Sequence, residues 1–70
     1  MKEEYIRDFN KVIIGIIQTD SNGEKTARLF NSRKIVGFYS PKDNRTRNFM
    51  LQIVSEGDTL VSLIYKELGR

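Results

Sequence analysis

The sequence predicts a mainly β domain of the α+β class. It reads as an antiparallel meander of about six short strands, built from three hairpins, with one C-terminal amphipathic helix. Three observations predict this. Clusters of β-branched and aromatic residues recur along the chain, turn-forming residues separate them, and the closing segment changes from a strand-like to a helical apolar period.

The strands are expected at roughly 4–9, 12–19, 24–31, 34–40, 45–50 and 52–55, judged by strand propensity and turn signals. Val12-Ile13-Ile14, Ile16-Ile17 and Ile35-Val36 are β-branched and Phe38-Tyr39 is aromatic, side chains that suit a pleated, half-buried surface. Residues 2–5 read either as the start of the first strand or as a lead-in to it. Thr19-Asp20-Ser21-Asn22-Gly23 contains Asn-Gly, whose two residues tolerate the positive φ of a tight hairpin turn. Ser40-Pro41-Lys42-Asp43-Asn44 is a second reversal, with Pro presetting φ and Asp and Asn able to bond their own backbone. Shorter reversals are expected near Asn10-Lys11, Asn31-Ser32-Arg33 and Leu51-Gln52.

A helix is expected over about 58–68, because Leu60, Leu63, Ile64 and Leu68 fall at i, i+3, i+4 and i+8 on one face. Ser55-x-x-Asp58 resembles a capping box, and Asp58 could itself be the N-cap. Gly69 supplies a stop, and Lys66 and Arg70 suit the negative end of the helix dipole. So short a helix is not stable alone in water and must pack on something. The face formed by Leu60, Leu63, Ile64 and Leu68 is therefore either a core face or one that meets a partner.

The three hairpins, about 4–19, 24–40 and 45–55 within a single domain, can be laid over one another. Each begins Arg-x-Phe, at Arg7/Phe9, Arg28/Phe30 and Arg47/Phe49, and runs to a β-branched pair ending at Gly15, Gly37 or Ser55. The arginines are spaced by 21 and 19 residues. Residues two apart in a strand share a face, so each Arg is expected beside its Phe. One expectation is a shared phenylalanine core with the arginines at its rim; the other is an anion-binding surface of arginines and aromatic faces. Gly15 and Gly37 are expected to mark bulges or close backbone approaches.

Ile6-Arg7-Asp8-Phe9, Ile35-Val36-Gly37-Phe38-Tyr39 with its Asp-Asn turn, Thr46-Arg47-Asn48-Phe49 and the ending Gly57-Asp58-x-Leu60-x-x-Leu63-Ile64-Tyr65 together resemble short uncharacterised bacterial and phage proteins related to the β-flower repeat domains. Those repeats read approximately Arg-Asp-Phe-x-Gly-Arg-Ile-x-Gly. The resemblance covers most of residues 5–65 and implies a β-meander, with no catalytic residue to carry over. The chain departs from that pattern at the turns, where Lys11, Ser32 and Leu51 stand in place of the glycine, and at Leu29 and Asn48 in place of aspartate. In topology, a basic antiparallel sheet followed by one helix is also similar to the amino-terminal DNA-binding domain of conjugative-transposon integrases.

Seventy residues without cysteine, histidine or tryptophan leave no disulfide framework and no Cys/His metal site. They also remove the commonest general base and the best nucleophile, and no phosphate-loop, dinucleotide or serine-elbow motif is present. No catalytic residue, cofactor, metal or small-molecule substrate is expected. The longest apolar run, Val12 to Ile17, is too short to span a bilayer, and no signal peptide is apparent, so a cytoplasmic protein is expected.

The net charge is +3, but residues 24–50 hold seven basic groups against two acids, and the remainder nets −2. These features predict a non-enzymatic interaction or assembly module of the kind a phage or mobile element encodes, whose partner is itself or another protein. The alternative is a nucleic-acid-binding sheet using Arg28, Arg33, Lys34, Lys42, Arg45 and Arg47, or an inhibitor of a host-defence nuclease.

Overall fold

Tandem hairpins can only lie side by side, and the chain forms one sheet whose strand order is its sequence order. The structure, a computed structural model, describes residues 2–69. The strands are β1 (Lys2–Arg7), β2 (Ile13–Thr19), β3 (Lys25–Leu29), β4 (Ile35–Ser40), β5 (Arg45–Asn48) and β6 (Ile53–Glu56), every neighbouring pair antiparallel. The helix α1 (Leu60–Glu67) follows. The mainly β meander with one closing helix is thus the observed architecture, and residues 2–5 belong to β1.

The three hairpins share one irregularity. The register shifts between Ile6 and Arg7, between Ala27 and Arg28, and between Thr46 and Arg47. On the opposite strand the extra residue is Ile14, Val36 or Val54, one position before Gly15, Gly37 or Ser55. A bulge of this kind increases the local twist.

One face of the sheet carries the helix. Leu60 and Ile64 are fully buried in a cluster with Ile14, Ile17, Ala27 and Val36, bordered by Ile6, Leu29, Tyr39, Leu63 and Tyr65. Gly15 and Gly37 let the helix approach. A Cβ at Gly15 would stand 2.7 Å from Ile64 Cδ1, and one at Gly37 would stand 2.5 Å from Leu63 Cδ1 and 2.8 Å from the Arg47 carbonyl oxygen. The opposite face has no helix. Cross-strand rows there run Glu3–Gln18–Thr26–Phe38–Arg47–Ile53 and Tyr5–Ile16–Arg28–Ile35.

The shared phenylalanine core is not formed. Phe9 is 94% exposed and Phe49 is largely exposed, and aliphatic side chains make the core instead. The cause is turn chemistry. The Asp8 carboxylate accepts from the Asn10 and Val12 N–H groups, and the Asn48 side-chain oxygen accepts from those of Met50 and Gln52. Each first strand therefore stops before its phenylalanine, which lands in the reversal rather than beside its arginine. Phe30 is half-buried in the longer second reversal, its ring edge-on to Tyr5 at 6.3 Å.

The turn after β2 uses the same device. Asp20 accepts from the Asn22 and Glu24 N–H groups, and only Gly23 takes positive φ, so this is a loop closed by one left-handed residue rather than the expected two-residue turn.

Helix α1 starts at Leu60, with Thr59 as N-cap and no side-chain cap bond; Asp58 Oδ1 accepts from the Leu60 N–H at 3.3 Å. Ser55, expected in a capping box with Asp58, instead meets the Thr59 hydroxyl. Thr46, wholly buried, anchors the β6–α1 connection. Its hydroxyl donates to the Gly57 carbonyl at 2.5 Å and accepts from the Thr59 N–H at 3.1 Å. Gly69, at φ 73°, ends the helix as expected. Arg70, assigned to the helix dipole from sequence, lies outside the described residues.

Candidate interaction surface

An eight-residue helix is about 12 Å long, whereas the outer strands of a flat six-stranded sheet stand about 24 Å apart. Helix α1 accordingly packs on β2, β3 and β4, and the outer strands go without its cover. Five large apolar side chains at the third hairpin are left in solvent, each about half exposed or more: Phe49 and Val54 on the helix side, beyond the helix's reach, Leu51 and Ile53 on the helix-free side, and Met50 at the tip. They occupy the β5–β6 reversal and the beginning of the edge strand β6.

The reversal is held tightly. The Leu51 N–H donates to the Asn48 carbonyl at 2.9 Å, the Asn48 N–H donates to the Gln52 carbonyl at 2.9 Å, and Asn48 Nδ2 donates to Gln52 Oε1 at 3.1 Å. Closing it forces Leu51 to φ 66°. That is the left-handed region, disfavoured for a side chain with a Cβ, and Gly23 takes it in the turn built the same way on Asp20. Lys11 and Arg33 are the corresponding residues in the first and second hairpins; in the second, Arg33 holds the position expected at Ser32. Leu51 is thus both strained and 64% exposed.

A smaller apolar group lies at the first hairpin, where Phe9 and Val12 with Asp8, Asn10 and Tyr65 line an open cavity of about 600 Å³. The Tyr65 hydroxyl, which donates to the Arg7 carbonyl at 3.0 Å, fixes the helix to that hairpin. The helix face predicted from sequence is mostly spent within the chain. Leu60 and Ile64 are core, Leu63 borders it, and Leu68, 36% exposed, is the most open of the four.

The six basic candidates are not brought together. Arg28, Arg45 and Arg47 lie on the helix-free face, where Glu3 and Glu56 share their rows. Arg28 Nε donates to Gln18 Oε1 at 3.0 Å, and Arg47 pairs with Asp43 at 2.6 Å. Lys34 pairs with Glu67 of the helix at 2.8 Å and lies over the Phe49 ring. Arg33 covers the Phe30 ring in the second reversal, and Lys42 sits at the other end of the sheet. Arg45 and Lys42 make no ion pair among the described residues.

Outside that set, Lys25 and Asp58 join at 2.8 Å, tying β3 to the helix start; the hydrogen bond to Asp58 raises the Lys25 pKa. The hydrogen bond from Arg47 lowers the Asp43 pKa. Sequence reasoning missed the third-hairpin surface because Phe49 was assigned to the core and Met50 to a strand. The usable signal was Asn48, a turn-forming side chain placed where Asp8 stands in the first hairpin.

Among the described residues no cluster of three or more carboxylates could hold a metal ion. Among the described residues no helix is long and apolar enough to cross a membrane. Neither a protein-family model, nor a curated protein, nor a solved structure matches the chain.

Proposed function

We propose that this chain is a non-enzymatic interaction module that self-associates, docking through the apolar surface of its third hairpin. The observation that carries this reading is the group Phe49, Met50, Leu51, Ile53 and Val54, contiguous in sequence but for Gln52 and all exposed. Together they present on the order of 500 Å² of side-chain surface, taking ordinary side-chain areas. They wrap the open edge of the sheet, Phe49 and Val54 on the helix side and Leu51 and Ile53 on the other, and exposed apolar groups of that extent often mark interaction sites. The strained Leu51 supports the same reading, since a backbone penalty taken for an exposed leucine is understandable if the leucine makes a contact. The cysteine-free chain fits a cytoplasmic setting.

Light scattering across micromolar concentrations tests the proposal. A mass above 8.2 kDa that falls on dilution is expected, and Met50→Asp should return the chain to a monomer. A monomer at every concentration would refute it.

A second reading has one observation in its favour. Arg28, Arg45 and Arg47 share the helix-free face with Tyr5 and Phe38, a basic sheet surface with aromatic groups that single-stranded nucleic acid could stack on. Such binding would weaken steeply between about 50 and 200 mM salt. Anisotropy with a labelled oligonucleotide at both salt concentrations checks it, and absence of binding at the lower one removes it.

A further inference from the structure

The two edges of the sheet differ in kind. In β1 the residues Lys2, Glu3, Glu4 and Arg7 are charged and exposed, the usual guard against strand addition. In β6 only Glu56 is charged, while Ile53 and Val54 are exposed. β6 keeps a bulge at Val54, a short length and the single charge of Glu56; beyond the bulge, Ser55 and Glu56 resume regular pairing with Thr46 and Arg45. Resting on the self-association proposed above, we infer that β6 pairs antiparallel with β6 of a second copy about a two-fold axis, joining the two sheets into one.

Three features favour a second copy over another occupant. The first is area. A stable interface buries about 800 Å² per partner, and homodimer interfaces are about 65% apolar, so about 500 Å² of apolar surface is needed. The third-hairpin side chains together expose about that amount, shared between the two faces of the edge, and strand addition flanks both faces.

The second is charge. Arg47 stands opposite Ile53, and Arg45 opposite Glu56, all on the helix-free face. A register setting Ile53 of each copy against Glu56 of the other keeps these faces together. It also puts each Glu56 in the same row as the other copy's Arg47, two strands or about 10 Å away across Ile53. One patch holding both signs complements itself, as a two-fold interface requires.

The third is the edge itself. Strand addition satisfies backbone groups that an edge strand otherwise leaves to water, and β1 is too charged to serve.

Single cysteines test the geometry, because the natural chain has none. With an added thiol oxidant, Val54→Cys should give a covalent dimer of doubled mass, and Glu3→Cys on β1 should not. Amide exchange at Glu56, whose N–H faces away from β5, should slow in the unmodified chain as concentration rises. If the chain self-associates but Met50→Cys cross-links while Val54→Cys does not, with exchange in β6 insensitive to concentration, the copies meet by their hairpin tips. The inference about β6 is then overturned while self-association stands. If the unmodified chain stays monomeric at all concentrations, both fail.

Discussion

Replacing Leu51 with glycine sets two effects of opposite sign against each other. Leu51 holds φ 66°, where a Cβ costs about 1–2 kcal/mol relative to ordinary backbone. Glycine removes that cost but adds chain entropy to the unfolded state, worth about 0.5–1 kcal/mol. The monomer should therefore gain about 0.5–1 kcal/mol of stability. Association should move the other way. Burying the exposed 64% of a leucine contributes about 1–2 kcal/mol per copy, so about 2–4 kcal/mol per dimer. At about 1.4 kcal/mol per decade, the dimer should dissociate about 30- to 700-fold more readily. Urea denaturation below the dissociation constant reads the first effect, and sedimentation equilibrium reads the second. Lys11→Gly is the control: it relieves the same backbone conformation at φ 67° and should leave association unchanged. A Leu51→Gly chain that self-associates as tightly as the natural one would refute the role given to the third hairpin. A chain less stable as a monomer would refute the strain argument.

Gly37→Ala should destabilise the fold by about 1–3 kcal/mol, since the new methyl meets the Arg47 carbonyl at 2.8 Å as well as Leu63, and backbone cannot step aside; thermal unfolding checks it. Thr46→Val keeps the shape but strands the Gly57 carbonyl and the Thr59 N–H, costing about 2 kcal/mol in urea denaturation. Phe9→Ser should change stability by less than about 0.5 kcal/mol, where a core phenylalanine would cost several times that. The Asp43 pKa is lowered by Arg47, so its pairing stabilises the fold above the unfolded carboxylate value and is lost as pH falls below about 4. The Asp43→Asn chain should lack that acid-side loss when urea midpoints are compared between neutral and acid pH.

The strands and helix were legible because their signals are local. Val12-Ile13-Ile14 and Ile35-Val36 favour a pleat wherever they fall, and the helical period of Leu60, Leu63, Ile64 and Leu68 has no strand equivalent. The phenylalanines were misread because alternation in Arg7-Asp8-Phe9 resembles a continuing strand. Whether the strand continues is decided by one carboxylate, which can bond the backbone two and four residues on. The bulges at Ile14, Val36 and Val54 were invisible, since they arise in pairing between strands rather than in either strand alone. The apolar surface needed both facts, together with the reach of the helix. Basic residues clustered in sequence were dispersed by the alternation of faces: Arg47 and Lys34 lie on opposite sides of the sheet, each with its own carboxylate.

The exposed area itself is ordinary, and its composition is what calls for a partner. A chain of 8.2 kDa folded as a compact monomer should expose about 4,500 Å², and this one exposes 4792 Å². Poor compaction therefore does not explain why Phe49, Met50 and Leu51 meet water. The exposure of Phe49 and Val54 follows from the arrangement of elements: one short helix, drawn to Gly15 and Gly37 at the centre, cannot also cover β6, and Leu51 and Ile53 lie on the face that has no helix. A longer helix, or one shifted toward β6, would have buried Val54 at the cost of the close approach over Gly15. The fold thus completes the core of β2, β3 and β4 within the chain and leaves the third hairpin exposed, the surface that the proposed self-association would cover. A small domain without disulfide or metal commonly gains stability by oligomerising, and here the surface left open has the size and the mixed charge to meet its own copy. Stability and assembly should then be linked, with the unfolding temperature rising as the chain is concentrated. A midpoint independent of concentration over a hundredfold range would sever that link.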